Sequence, residues 1–169
     1  MTQPHHHLIL DYAQIKQKIT RMAYEIYEHN FEEQDLVLAG IYQNGATLAG
    51  MLATELRSIS PLNVQLLTIK VNKVSPLEKP VVLEPETIAI TGKVVIIVDD
   101  VLNTGKTLAH SLSSFLPRNP KKVQIATLVN RHHTLYPVAA TYTGLSLATT
   151  LREHVEVVLQ DEEVAAYLQ

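Results

Sequence analysis

The chain has 169 residues, 46% of them hydrophobic and 18% charged, with no cysteine, a formal net charge of −3 and a pI near 6.2. That length and composition suit one globular domain, with no segment disordered by composition. Disulfide and thiolate chemistry are excluded, no apolar run reaches the ~18 residues of a membrane span, no basic-then-apolar signal opens the chain, and the acidic balance argues against a broad nucleic-acid footprint.

Met1–Pro4 reads as a frayed end, and His5-His6-His7 as a flexible tip rather than a metal site, because adjacent side chains do not converge on one ion. Asp11 with Gln14 has capping-box spacing. Ile15, Ile19, Met22, Ala23 and Ile26 then mark the apolar face of a helix whose Lys16, Lys18 and Arg21 lie elsewhere, as a solvated face. Leu36–Ile41 reads as a buried strand, Tyr42-Gln43-Asn44-Gly45 as a turn with Gly45 supplying a positive φ, and Leu48, Ala49, Leu52 and Leu56 as one side of a second helix. Val64–Val71 predicts a third strand. Residues 72–91, with Pro76, Pro80 and Pro85 and no core period, predict a lid.

The organising stretch is Val94–Thr107. Val94–Val98 predicts a strand buried on both faces, ending at Asp99 and Asp100; a loop Val101–Thr104 and Gly105 follow. Helical spacing then runs through Leu108, Leu112, Phe115 and Leu116. In open α/β sheets ligands sit at the carboxyl ends of strands. A helix start after a glycine loop points backbone N–H groups at one spot and suits a phosphate, with hydroxyls from Thr104 and Thr107 beside it. Two adjacent carboxylates suit vicinal ribose hydroxyls, so a ribose 5-phosphate fits between the two groups. Gly105-Lys106-Thr107 also ends like a nucleotide P-loop, but Asp100 stands where that motif needs glycine. Further on, Val123–Val129 reads as a strand with Arg131-His132-His133 at its end. Ala139–Thr143 and Val155–Leu159 read as short strands, and Asp161–Leu168 as a terminal helical turn. Strands alternating with helices predict an α/β fold with a mainly parallel sheet.

The strand, acid pair and Thr104-Gly105-Lys106-Thr107 resemble the phosphoribosyl-diphosphate (PRPP) motif of type I phosphoribosyltransferases. The likeness narrows toward the bifunctional pyrimidine operon attenuator / uracil phosphoribosyltransferase family. It rests on Ile9-Leu10-Asp11, Ile19–Ala23, Glu28-His29-Asn30, Leu128–His133, Leu135–Val138, Tyr142-Thr143-Gly144 and Val155–Leu159. The resemblance implies a mainly parallel twisted sheet with helices on both faces and a small hood at residues 131–150, within one domain, 1–169. It implies Asp99 and Asp100 as catalytic and ribose-binding residues, with Asn103, Thr104, Gly105, Lys106 and Thr107 at the 5-phosphate. Gln43, Asn44 and Gly45 would then meet the pyrophosphate, and Arg131, Tyr142 and Leu145 would border the base. The implied cofactor is Mg²⁺, carried by the diphosphate rather than by a protein metal site. The implied reaction joins a base, uracil by this likeness, to PRPP in a cytoplasmic homo-oligomer; a nucleoside monophosphate is the product.

The departures carry expectations too. Tyr42 and Asn44 stand where the family's pyrophosphate loop has Lys and Arg, and Val71-Asn72-Lys73 where its lid strand ends Arg-Asp-Asp. Charge grows on the leaving pyrophosphate, and losing an oxyanion-type donor costs on the order of 2.7–4 kcal/mol. Lys70 or Lys73 is the available substitute, without the fork of an arginine. Thr20 and Arg21 persist on the family's RNA-binding face, while Tyr24, His29, Thr134 and Leu145 replace its His, Arg, Arg and Lys. Each lost phosphate contact weakens RNA binding. The alternative to an active enzyme is therefore a catalytically weak PRPP- or nucleotide-binding regulator, with RNA a partner that the altered face disfavours.

Overall fold

The computed structural model describes residues 6–72 and 79–169. The elements in chain order are β1 (His7–Leu10), α1 (Tyr12–Asn30), β2 (Asp35–Ile41), α2 (Asn44–Ile59), β3 (Asn63–Lys70), β4 (Val82–Glu84), β5 (Val94–Leu102), α3 (Lys106–Phe115), β6 (Lys122–Asn130), β7 (Tyr142–Ser146), β8 (Val155–Gln160) and β9 (Glu163–Leu168). Six strands form one sheet in the order β4-β3-β2-β5-β6-β7, and β1-β9-β8 form a second. The large sheet is parallel except for β4, which runs against β3; the small one is antiparallel.

The central strand shows why the sequence folds this way. Val94 to Val98 are all fully buried, and their side chains alternate between two cores. Val94, Ile96 and Val98 pack with residues of α1 and α2, while Val95 and Ile97 pack with Leu108 and Phe115 of α3. A strand covered on both faces needs apolar residues at every position, and β-branched ones fit the pleat. α1 starts as expected: Gln14 N–H donates to Asp11 at 2.8 Å and Asp11 N–H to the Gln14 side chain at 2.9 Å. Its Ile15, Ile19, Met22, Ala23 and Ile26 are buried.

Several boundaries differ from the sequence reading. β5 runs on through both acids to Leu102, because Val101 and Leu102 keep pairing with Val129 and Asn130 of β6. β7 begins at Tyr142, not Ala139. His7 opens β1 and pairs with Leu168, while the His6 ring meets Tyr167 edge-on. The predicted terminal helix is β9. Gln160 pairs with Glu163 across the two-residue turn Asp161-Glu162, and the strand lies between β8 and β1. Alanine and glutamate favoured helix locally, but two flanking strands supply hydrogen bonds that override propensity. The expected lid, 72–91, is partly framework: Val82–Glu84 pairs with β3, and Leu83 and Ile90 are buried in the α3-side core. Lys73 and Pro76 lie outside the described residues.

Candidate active site

The unbroken run Asp99–Leu108 lines a cleft of about 270 Å³ at the carboxyl end of β5. One turn of chain, Asn103–Gly105, carries the backbone from strand to helix. Gly105 makes that possible. Its φ is +84°, in the left-handed region, and a Cβ there would lie 2.3 Å from Val138 Cγ2. No side chain caps α3 from Gly105; only Thr104 Oγ1 accepts from Lys106 N–H, at 3.3 Å. The first N–H groups of a helix have no partner within it. Together with the helix dipole they make an anion seat between Thr104 and Thr107.

The two acids are held differently. Asp99 is 4% exposed, and its Oδ1 accepts from Asp100 N–H at 3.0 Å. Asp100 is half-buried; its Oδ1 accepts from Val101 N–H at 2.9 Å and its Oδ2 from Asn44 Nδ2 at 2.9 Å. The same Asn44 amide donates to the Val157 carbonyl in β8 at 2.8 Å. Asn44 therefore ties an acid of the large sheet to the small sheet.

Asn44 and Gly45 do lie beside the acids, with Gln43 before them bonded to Tyr42 and Thr47, but not as a free turn. α2 begins at Asn44, so Gly45 sits in its first turn and φ is not positive there, unlike the expectation. Glycine is needed for a different reason: a Cβ would come 2.5 Å from the Val98 carbonyl oxygen and 3.3 Å from Asp99 Oδ1. A Cβ on Gly40 would likewise strike Ala46 Cα at 2.4 Å. Two glycines let the start of α2 ride on the strand ends. Tyr42 is half exposed, its peptide to Gln43 is cis, and its hydroxyl accepts from Gln43 Nε2.

The residues expected at the base are placed otherwise. Arg131 is 7% exposed and its guanidinium is spent on the protein. It donates to Asn103 Oδ1 at 2.8 Å, to Thr149 Oγ1 at 3.0 Å and to the carbonyls of Thr150 and Glu153. It clamps the turn after β5 to residues 149–153. Glu153 is held in turn by Thr150 N–H, which keeps its carboxyl below the usual range, with Arg131 adding to the effect. His132 takes φ +57° and is exposed, and His133 bonds the Thr149 carbonyl. Tyr142 is not brought to the cleft. It is fully buried at the start of β7, donating to Gln124 and accepting from Asn30, with His29 alongside. Burial pushes its hydroxyl pKa up. Leu145 packs against the α1–α2 core.

Three contacts were missed in the sequence. The Leu135 and Tyr136 N–H groups donate to the Thr104 carbonyl, which seats Val138 on Gly105. Lys70 Nζ stands 5.9 Å from the Tyr42 ring centroid. Arg21 donates to the carbonyls of Thr143 and Gly144 and pairs with Glu25, so this basic residue fastens α1 to β7. Only the hood segment carried a sequence signal, its likeness around Leu135–Val138.

Comparison with known proteins agrees with this geometry. Residues 8–162 match the family model described as phosphoribosyl transferase domain. The chain is 36% identical over 160 residues to the Bifunctional protein PyrR of Pelotomaculum thermopropionicum, covering 90% of this chain and 88% of that protein. It is 37% identical over 161 residues to the Bifunctional protein PyrR of Staphylococcus saprophyticus, covering 91% and 92%. A hypoxanthine phosphoribosyltransferase from Staphylococcus aureus superposes with a TM-score of 0.73 at 20% identity, covering 88% of this chain and 80% of that one. At that identity the superposition speaks for the fold. Fold, cleft and sequence agree that the chain belongs to the phosphoribosyltransferase family.

Proposed function

We propose that the protein joins a nitrogenous base, uracil by its resemblance, to PRPP and releases pyrophosphate, acting as one domain over residues 1–169. The observation that carries this reading is the single run Asp99–Leu108, which puts two carboxylates and a helix N-terminus on one cleft. The ribose hydroxyls donate to Asp99 and Asp100, and the 5-phosphate takes the N–H groups and hydroxyls of Thr104–Thr107. So anchored, the sugar presents C1. A base nitrogen bonds to C1 as the bond from C1 to the pyrophosphate oxygen breaks, and the nitrogen's proton leaves to solvent. Alignment and charge do most of this work.

Mg²⁺ fits the donors present. Among the described residues no group of three or more His, Cys, Asp or Glu forms a metal cage. Two carboxylates beside the substrate's own oxygens match the way magnesium is usually held. When bound, the ion offsets the charge on the diphosphate. The test is pyrophosphate release from Mg–PRPP against a panel of bases. Turnover with uracil alone supports the full reading, and turnover with another base moves only the base.

A second reading is a regulator that binds PRPP or nucleotide with little turnover. Asn44 favours it: the amide in the pyrophosphate loop is already engaged by Asp100 and Val157. RNA is a weaker proposal, because Arg21 is committed to β7 carbonyls. Self-association of the chain belongs to the same proposal and is measured by sedimentation.

A further inference from the structure

The leaving pyrophosphate accumulates negative charge as the bond to C1 breaks, and a cation aimed at it lowers the barrier selectively. The loop that should meet it, Tyr42–Gly45, carries no cationic side chain. Asn44 is engaged elsewhere. The neighbouring strand ends in one. Tyr42 N–H donates to the Ile69 carbonyl at 2.9 Å, so the loop starts in register with the end of β3. The next residue, Lys70, holds its ammonium 5.9 Å from the Tyr42 ring centroid, within cation–π range. On its other side Lys70 pairs with Glu84 of β4 at 3.0 Å.

We propose that Lys70 is the pyrophosphate cation of this enzyme, delivered from β3 beside the Tyr42 ring, with Glu84 as its partner while the site is empty of substrate. The inference rests on the transferase reading above. The Lys70–Glu84 pair is about half exposed on each side, and ion pairs of that kind are weak and screened. A diphosphate carries more charge than one carboxylate, so the ammonium exchanges Glu84 for it at little cost. The Tyr42 backbone stays in register with β3 through the exchange, and its hydroxyl accepts from Gln43 Nε2. An ammonium on a flexible stem suits this role better than a fork, since it follows the leaving group as it moves off. Lys70 is then a catalytic residue by contact with the substrate, Tyr42 is a positioning residue, and Glu84 is the partner that the substrate displaces.

The experiment compares wild type, Lys70→Ala, Lys70→Arg, Tyr42→Leu and Glu84→Gln. Calorimetry measures Mg–pyrophosphate and ribose 5-phosphate binding to each, and steady-state kinetics with PRPP gives kcat and KM. Lys70→Ala is expected to weaken pyrophosphate binding by about tenfold and to lower kcat by about tenfold to a hundredfold, at or below the range for one oxyanion donor. Its ribose 5-phosphate affinity stays at the wild-type value. Lys70→Arg recovers most of the pyrophosphate binding, Tyr42→Leu falls between, and Glu84→Gln binds pyrophosphate as tightly as wild type or more so. Loss of pyrophosphate binding in Glu84→Gln equal to that in Lys70→Ala means the ion pair is structural and overturns the assignment. Wild-type pyrophosphate binding and kcat in Lys70→Ala overturn it directly. A wild-type protein that binds pyrophosphate through Lys70 but turns over no base instead refutes the transferase reading and leaves the cation assignment standing.

Discussion

Gly105→Ala tests the phosphate loop with one methyl group. Two costs are separable on the structure. The residue has φ +84°, and the left-handed region costs an L-residue with a side chain roughly 1–2 kcal/mol. The new methyl would stand 2.3 Å from Val138 Cγ2, and forcing carbon into filled space costs about 1–3 kcal/mol. The sum, about 2–5 kcal/mol, is a large share of the stability of an ordinary domain. Val138 cannot simply withdraw, because the Leu135 and Tyr136 N–H groups hold its segment to the Thr104 carbonyl. Displacing it drags the loop that seats the phosphate, so binding of ribose 5-phosphate weakens as well. Urea unfolding of Gly105→Ala, Val138→Ala and the double variant separates the terms. The double variant should recover the packing share and keep the backbone share, giving a coupling of about 1–3 kcal/mol between the two sites. A loss below about 0.5 kcal/mol in Gly105→Ala, typical of a neutral surface change, would refute the loop geometry.

Three further outcomes follow from the same contacts. Replacing Asp99 and Asp100 with Asn should lower PRPP affinity by more than about tenfold while phosphate alone still binds at Thr104–Thr107, since charge-assisted hydrogen bonds contribute roughly 1.5–3 kcal/mol; equal losses for both ligands, by calorimetry, would sink the two-ended site. Tyr142→Phe should flatten the alkaline end of the stability profile: below pH 10 the hydroxyl is protonated in both states, whereas above it the unfolded chain releases the proton first and the wild type loses stability, because burial raises the folded pKa. Denaturation midpoints from pH 8 to 11 read this, and an unchanged slope in the variant counts against it. Asn44→Arg should gain no turnover beyond about twofold and should lose roughly 1–3 kcal/mol of stability, because its guanidinium meets Asp100 while the Val157 carbonyl loses its donor.

The parts legible in the sequence are those whose cause is local. The alternating cores on β5 follow from five apolar residues in a row, and the start of α1 from Asp11 and Gln14. The turn at Gly105 follows from a glycine between a strand and a helix. What was hidden depends on residues far apart in the chain. The last strand looked helical because its partners, β8 and β1, include the opposite end of the chain. Arg131 looked like a ligand-facing cation, and nothing near it in sequence reveals Asn103 and Glu153 as its partners. Tyr142 looked like hood, and only the meeting of α1, β6 and β7 buries it.

The same division runs through the site and bears on how it tolerates change. On the proposed reading the ribose phosphate takes one run of ten residues, Asp99–Leu108, whose geometry is set by a strand, a glycine and a helix start. A substitution there alters the path of the backbone itself, as the space around Gly105 shows. On the proposed reading the pyrophosphate meets separate pieces, the start of α2 and the end of β3, which the Tyr42 N–H bond to the Ile69 carbonyl holds in register. On the proposal for Lys70, the charge comes from the end of β3, beside the Tyr42 ring, and not from position 42 or 44. On that proposal the strand beside the loop supplies the cation that the loop lacks, whereas Asp99 and Asp100 are fixed by the path of β5 itself. The same proposal gives a reason for a chain that has Asp99, Asp100 and Thr104–Thr107 together with Tyr42 and Asn44.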